Sequence, residues 1–217
     1  MTSLSNLKIG TRLGLGFAAV LLFLALVAGL ALNSLGGIQE RLERIVHDNN
    51  VKVAMANKML DSIRDVSIYG GEIVLMTDEA SMREQVKKIA AARERFAEAK
   101  AVLTKRVTTG AGKALLAKVE EMHAVAVPLN NQLLELGLQN KSQEATELLV
   151  KKVGPAVRTT LAALDDMVDH QTKRAEEASA EATADYERTR TLMLGLGVFA
   201  VLLGAAIAWF TTRSITG

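Results

Sequence analysis

The sequence predicts an all-α protein: an antiparallel up-down four-helix bundle whose first and fourth helices are extended by two transmembrane helices. Three observations predict it. Two long uncharged runs, Leu13–Leu32 and Leu192–Phe210, stand near the two ends of the chain. Between them, apolar residues recur every three or four positions, the spacing of one helix face. Turn signals then divide that middle stretch into four pieces. Composition agrees. Aromatics and prolines are scarce, while Ala, Leu, Glu, Lys and Arg dominate, as they do in long helices. The absence of Cys excludes a disulfide framework and a Cys-ligated metal. A net charge of +2 says little for nucleic acid, because acids and bases nearly balance.

Residues 1–12 carry Lys8 and Arg12, and no acidic residue precedes Glu40. This basic tail is expected in the cytoplasm by the positive-inside rule. Residues 13–32 form the first transmembrane helix, since about 20 uncharged residues cross a hydrocarbon core of about 30 Å. The run is longer than the roughly 7–15 apolar residues of a cleaved signal peptide, so it reads as an uncleaved anchor. Residues 33–191 are expected to form an extracytoplasmic four-helix-bundle domain with a membrane-proximal stalk. Residues 192–210 form the second transmembrane helix, with Trp209 and Phe210 placed as interfacial aromatics and Arg213 marking the cytoplasmic side again.

Within the bundle, Leu35, Ile38, Leu42, Ile45, Ala56, Met59, Ile63, Val66, Gly70 and Ile73 make the apolar seam of a first helix running to about Met76. Ser81-x-x-Glu84 has the form of a capping box that opens the second helix. The seam of that helix is Met82, Val86, Ile89, Phe96, Leu103 and Val107. It is expected to stop at Thr109–Gly112, with glycine as a left-handed cap. The third helix carries Leu115, Val119, Met122, Ala126, Leu129, Leu133 and Leu136, and the fourth starts at about Ser142. Helices two and three, about 28 residues each, are roughly 42 Å long. The first and fourth exceed them by about 16 to 20 residues, which form the stalk. The stalk is rich in alanine (Ala175, Ala178, Ala180, Ala182, Ala184), which buries little apolar area, so a homodimer is expected to complete it.

Two spans around a four-helix bundle, the closing stretch Thr211-Thr212-Arg213-Ser214-Ile215-Thr216-Gly217, and Ile63-Arg64-Asp65-Val66 with Leu75-Met76-Thr77-Asp78 together resemble a bacterial chemoreceptor, a methyl-accepting chemotaxis protein with a four-helix-bundle sensor. The resemblance implies an inner-membrane homodimer with both ends cytoplasmic and the bundle domain periplasmic, and residues 211–217 as the start of a HAMP linker. It implies that ligand binding displaces the fourth helix against the first. It also implies control of a kinase, with its coupling protein, through cytoplasmic helices beyond this sequence.

Counting down from the turns at equal rise places Arg64, Arg93, Pro128 and Gly154-Pro155 in one layer, with Arg158 one turn lower. Proline removes a helix hydrogen bond, so a layer holding both prolines is a place for a pocket. Arg93 stands on the apolar seam of its own helix, where an unpaired charge is costly. Arg64, Arg93 and Arg158, with Thr159 or Thr160, are therefore the candidate ligand-binding residues for a small carboxylate. The planar fork of Arg grips a carboxylate with two parallel bonds. By resemblance, Arg64 matches a first-helix arginine that amino-acid receptors use at the dimer interface. A further arginine of those receptors is missing, because Tyr69 and Ile73 occupy its region; an organic acid stays open beside an amino acid.

His47 and His170, beside Asp48 and Asp169, fall at similar depth but read as solvated residues, so neither metal nor cofactor is expected. Gly110-Ala111-Gly112-Lys113 lacks the spacing of a phosphate-binding loop. Gly10-x-x-x-Gly14 is a small-residue motif at the membrane edge. No nucleophile–base pair or carboxylate dyad stands out, and no catalysis is expected. Two other readings remain: the sensor half of a histidine kinase, and a structural or partner-binding bundle without a small ligand.

Overall fold

The computed structural model describes residues 9–216, without the side chains of Ile9, Arg12, Thr211, Ser214, Ile215 and Thr216. Lys8 and most of the expected cytoplasmic tail, and Gly217 at the end of the expected HAMP segment, lie outside the described residues. The helices are α1 (Ile9–Arg44), α2 (Asn50–Leu75), α3 (Glu79–Arg106), α4 (Gly110–Leu138), α5 (Ser142–Leu148) and α6 (Gly154–Thr216). Two π turns, Ile45–Asn49 and Leu149–Val153, join α1 to α2 and α5 to α6. The first and fourth helices of the bundle are thus each one path with a single π turn. There, the Asn50 N–H bonds the Ile45 carbonyl, and the Gly154 N–H bonds the Leu149 carbonyl, five residues back. No strand occurs among the described residues.

The helix ends differ in part from the sequence expectation. The N-cap of α3 is Asp78, whose carboxylate accepts from the Ser81 N–H at 2.8 Å. The helix opens at Glu79 rather than at a Ser81–Glu84 box, because a charged cap suits the positive end of the helix dipole. No glycine among the described residues has a positive φ. Gly110 and Gly112 lie in the first turn of α4, capped by the Thr109 hydroxyl, which accepts from the Gly112 N–H at 3.2 Å. The left-handed cap expected there is therefore absent, and Gly112 serves closeness instead. A Cβ on it would stand 2.6 Å from Val107 Cγ1. The left-handed residue is Asn140, φ 55°, at the end of α4. The Lys141 N–H bonds the Leu136 carbonyl and the Asn140 N–H bonds the Gly137 carbonyl, the paired bonds of a Schellman end.

The unit Arg44–Ala178 is the four-helix bundle. Met59, Ile63, Ile73, Met82, Ile89, Phe96, Leu103, Val119, Leu133, Leu164 and Met167 fill its core, and the seam positions of α2 from Ala56 onward are buried as their spacing predicts. Gly137 of α4 lets that helix approach α2: a Cβ there would lie 2.6 Å from Ile73 Cγ2. Ion pairs join neighbouring helices in antiparallel order: Lys58–Glu98 and Asp65–Arg95 between α2 and α3, Lys100–Glu120 between α3 and α4, Lys118–Asp166 between α4 and α6. Pairs as solvent-accessible as these contribute about 0–1 kcal/mol each, so packing holds the bundle.

The second unit contains α1 to Glu43 and α6 from Ser179. Both helices are long and apolar enough to cross a membrane. Their partly buried positions recur in steps of three and four, through Val20, Phe23, Val27, Ala31, Ser34, Ile38 and Arg41 on α1, and through Ala182, Asp185, Thr189, Met193, Leu196, Ala200 and Leu203 on α6. That is a heptad seam. Phe23 and Phe199 meet in it at 5.5 Å, and Arg41 pairs with Asp185 at 2.5 Å. The close approach falls at Gly16, whose Cβ would be 2.8 Å from Ile207 Cγ2. Around Gly10 and Gly14 the space is open, so the small-residue motif read there makes no helix contact within the described residues. The outward sides, including Leu21, Leu22, Val201 and Leu202, are exposed apolar surface, the character of a lipid-facing helix.

Two glycines should respond oppositely to alanine. Gly71→Ala, in open space on α2, should stabilise by about 0.5–1 kcal/mol through lower unfolded-state entropy. Gly137→Ala should destabilise by about 1 kcal/mol or more, the overpacking cost exceeding that gain. Thermal melts of the two variants decide; a gain in both would show that α2 and α4 do not need this approach.

The carboxyl of Asp78 is held below its ordinary pKa by the Ser81 hydroxyl first and the Ser81 N–H next. A depressed folded pKa means stabilisation present above the unfolded value, about 3.9, and lost as pH falls through the folded value. Asp78→Ala should therefore lower Tm at neutral pH, and the gap to the parent protein should close below about pH 3.9. A gap independent of pH would remove the charged cap from this account.

Candidate ligand-binding cavity

At the depth where the helix counts placed the arginines and prolines, the bundle contains a cavity of about 140 Å³. Ser62, Ile63 and Val66 of α2, Arg93 and Phe96 of α3, His123, Ala126, Val127 and Asn130 of α4, and Val157 of α6 line it. Both α4 and the α5–α6 path carry a proline nearby. Pro128 lies inside α4, and Pro155 is the second residue of α6, just after the π turn Leu149–Val153. Proline supplies no N–H to the helix ladder, and the π turn adds a residue to its loop.

The walls are mostly apolar, with polar groups at a few points. Ser62 is 1% exposed, and its hydroxyl donates to the Lys58 carbonyl at 2.7 Å. Asn130 is buried, and its Nδ2 donates to the Ala126 carbonyl at 3.0 Å. Phe96 and His123 stack with centroids 4.2 Å apart and planes 27° apart. Burial first, then the cations of Lys100 and Arg93, push the His123 pKa below its ordinary 6.5, so the imidazole is neutral at pH 7. A neutral imidazole presents one donor and one acceptor.

Arg93 is half-buried, and its Nη2 donates to Asn131 Oδ1 at 2.7 Å. Burial lowers its pKa, yet a guanidinium remains charged at neutral pH. Among the described Lys and Arg of the bundle that are not exposed, Lys52, Lys58, Arg95 and Lys100 each have a carboxylate within 4.0 Å. Arg93 has an amide oxygen instead. A partly desolvated charge without a counter-charge is unfavourable, and at the edge of a cavity it attracts an anion.

The other four candidate residues lie elsewhere. Arg64 is exposed, 3.2 Å from Asp61 and 4.0 Å from Asp165. Arg158 and Thr159 are exposed as well, and the Thr159 hydroxyl donates to the Pro155 and Ala156 carbonyls of its own helix. Thr160 is 0% exposed, and its hydroxyl donates to the Ala156 carbonyl at 2.9 Å. The cavity thus brings together Arg93 with Ser62, Phe96, His123 and Asn130, and of these only Arg93 was singled out as a site residue. A signal for the others existed: Ser62 adjoins the seam residue Ile63, and Asn130 follows the seam residue Ala126 by one turn, so both are polar at core positions.

His47 is exposed, and its backbone carbonyl accepts from Arg106 Nη1 at 2.6 Å. His170 Nε2 and Gln85 Oε1 are buried with no hydrogen-bond partner. Among the described residues no three His, Asp or Glu side chains gather as metal ligands would.

Residues 6–186 match a family described as a four-helix-bundle sensory module for signal transduction. That range takes in the whole bundle and α1. No curated protein and no solved structure matches the chain.

Proposed function

The chain belongs to the family of four-helix-bundle sensory modules for signal transduction, and on that premise we propose that it is the ligand-sensing and membrane-crossing part of a chemotaxis receptor. It takes a small carboxylate-bearing molecule, an organic acid or an amino acid. The observation that carries this reading is Arg93, a half-buried guanidinium at a cavity edge with no carboxylate of the described residues beside it. The carboxylate of the ligand would supply the missing counter-charge through charge-assisted hydrogen bonds. Arg64, Arg158 and Thr159 are surface groups that a ligand held outside one bundle, or a second copy of the chain, would reach. Thr160 contributes through its packing, since its hydroxyl is already used.

The basic residues flanking the apolar runs support a sensor domain on the periplasmic side of the inner membrane, with both ends cytoplasmic. The alanine-rich lower part of α6 supports a homodimer. Signalling follows from differential affinity: a ligand shifts two helix arrangements only as far as it prefers one of them. Val157 lines the cavity and lies in α6, which continues as one helix to Thr216. On this reading the helix is the element that passes the displacement toward the membrane. The output is a HAMP linker and kinase control, and the chain itself carries out no chemistry.

The test joins the chain to the cytoplasmic part of a chemoreceptor and measures kinase control together with carboxylate-induced thermal stabilisation. One residue inserted after Ala182 turns everything below it by about 100°. Signalling should be lost while the stabilisation by ligand persists. Unchanged signalling would reduce α6 to an anchor, and a screen of amino and organic acids that stabilises nothing would remove the sensor reading.

A further inference from the structure

The cavity is selective in its chemistry as well as its size. Resting on the sensor reading above, we infer that the site lies inside a single bundle and takes an apolar monocarboxylate that carries no ammonium group. Three observations lead there.

The first is charge. None of the residues lining the cavity is Asp or Glu. An α-amino acid would bring an ammonium into a partly desolvated space with no carboxylate to receive it and with the Arg93 guanidinium already present. Burying an unpaired cation is costly, and doing so beside a like charge is worse. A dicarboxylate fails for the converse reason, because the lining offers one guanidinium for two anionic ends.

The second is size. A cavity of about 150 Å³ holds one benzene, and this one is about 140 Å³. With the carboxylate at the Arg93 edge, the occupant has about six to nine non-hydrogen atoms.

The third is shape and surface. The Phe96–His123 stack presents flat faces, Ile63, Val66 and Val157 are buried and apolar, and a ring or a short branched chain covers them well. Ser62 and Asn130 have their hydrogens committed to backbone carbonyls for at least one donor each, so the strongest donor left for the ligand is the Arg93 fork. Benzoate meets all three requirements, and 3-methylbutanoate is the branched alternative.

Isothermal titration calorimetry on the full chain in lipid nanodiscs tests this with benzoate, its neutral isostere benzamide, glycine and aspartate. Benzoate should bind once per protomer; benzamide, which lacks the charge-assisted interaction, and glycine and aspartate, which bring an unpaired ammonium, should each bind at least about tenfold more weakly. Arg93→Gln should weaken benzoate by about 10- to 100-fold and leave benzamide unchanged. Val127→Phe, which fills the cavity from its partly open side, should weaken benzoate as well. Because Arg93 has no counter-charge to leave stranded, Arg93→Gln should melt close to the parent protein; Val127→Phe gives an independent reading. Benzoate binding that ignores both substitutions overturns the inference. So does Arg93-dependent binding of glycine or aspartate with none of benzoate, and in that case the sensor reading survives. Absence of binding by every carboxylate overturns both.

Discussion

Four helices that pack around one axis must fill the same space at every level, and between α2 and α4 that fit requires a glycine. Where Gly137 faces Ile73, the two helices come near enough that a methyl group would collide. Leu133, Val74 and Ala145 are buried as well. Further down, the complementarity lapses. Ser62, Arg93 and Asn130 replace apolar residues at or beside the seam, and Val157 with Ala126 is too small to close the gap. The cavity is the result of that lapse. A protein interior packed at crystal-like density carries few voids of this size, so its coincidence with polar side chains gives it meaning.

Electrostatics adds a second asymmetry. The bundle pairs its other partly buried cations with carboxylates and leaves Arg93 with an amide oxygen. Such an arrangement costs stability in the empty state and recovers it when an anion arrives. On the proposed reading, that anion is the carboxylate of the ligand. The neutral His123 nearby keeps the local charge at one guanidinium. The account therefore joins three levels: small and polar residues on the seam, a void at one depth, and a single uncompensated charge at its edge.

Much of this was legible in the residues. Seams of period three to four on each bundle helix, and uncharged runs at both ends, are enough for the architecture, because amphipathic spacing decides which face is buried. Counting residues from the turns found the depth of the cavity, since all helices rise equally per residue. Direction was harder. Arg64 lies one residue from Ile63, but one residue is about 100° of rotation, which turns the side chain from the cavity to solvent. Thr160 is buried but outside the cavity lining, with its hydroxyl already bonded to the Ala156 carbonyl. The π turns were invisible because an extra residue in one loop leaves the apolar spacing almost intact on either side. The caps were misread for a local reason: Asp78 and Ser81 are three residues apart and both are good cap residues, so only geometry separates the acceptor from the donor.

The most direct measurement is the position of a bound carboxylate. With valine methyls labelled and the full chain in nanodiscs, intermolecular nuclear Overhauser effects from the ring protons of benzoate should reach the methyls of Val66, Val127 and Val157 and the ring of Phe96. That pattern would put the ligand inside one bundle with its carboxylate toward Arg93. Effects confined to groups around Arg64 and Arg158 on the outer surface would contradict the account, and the cavity would then be a packing defect without a ligand.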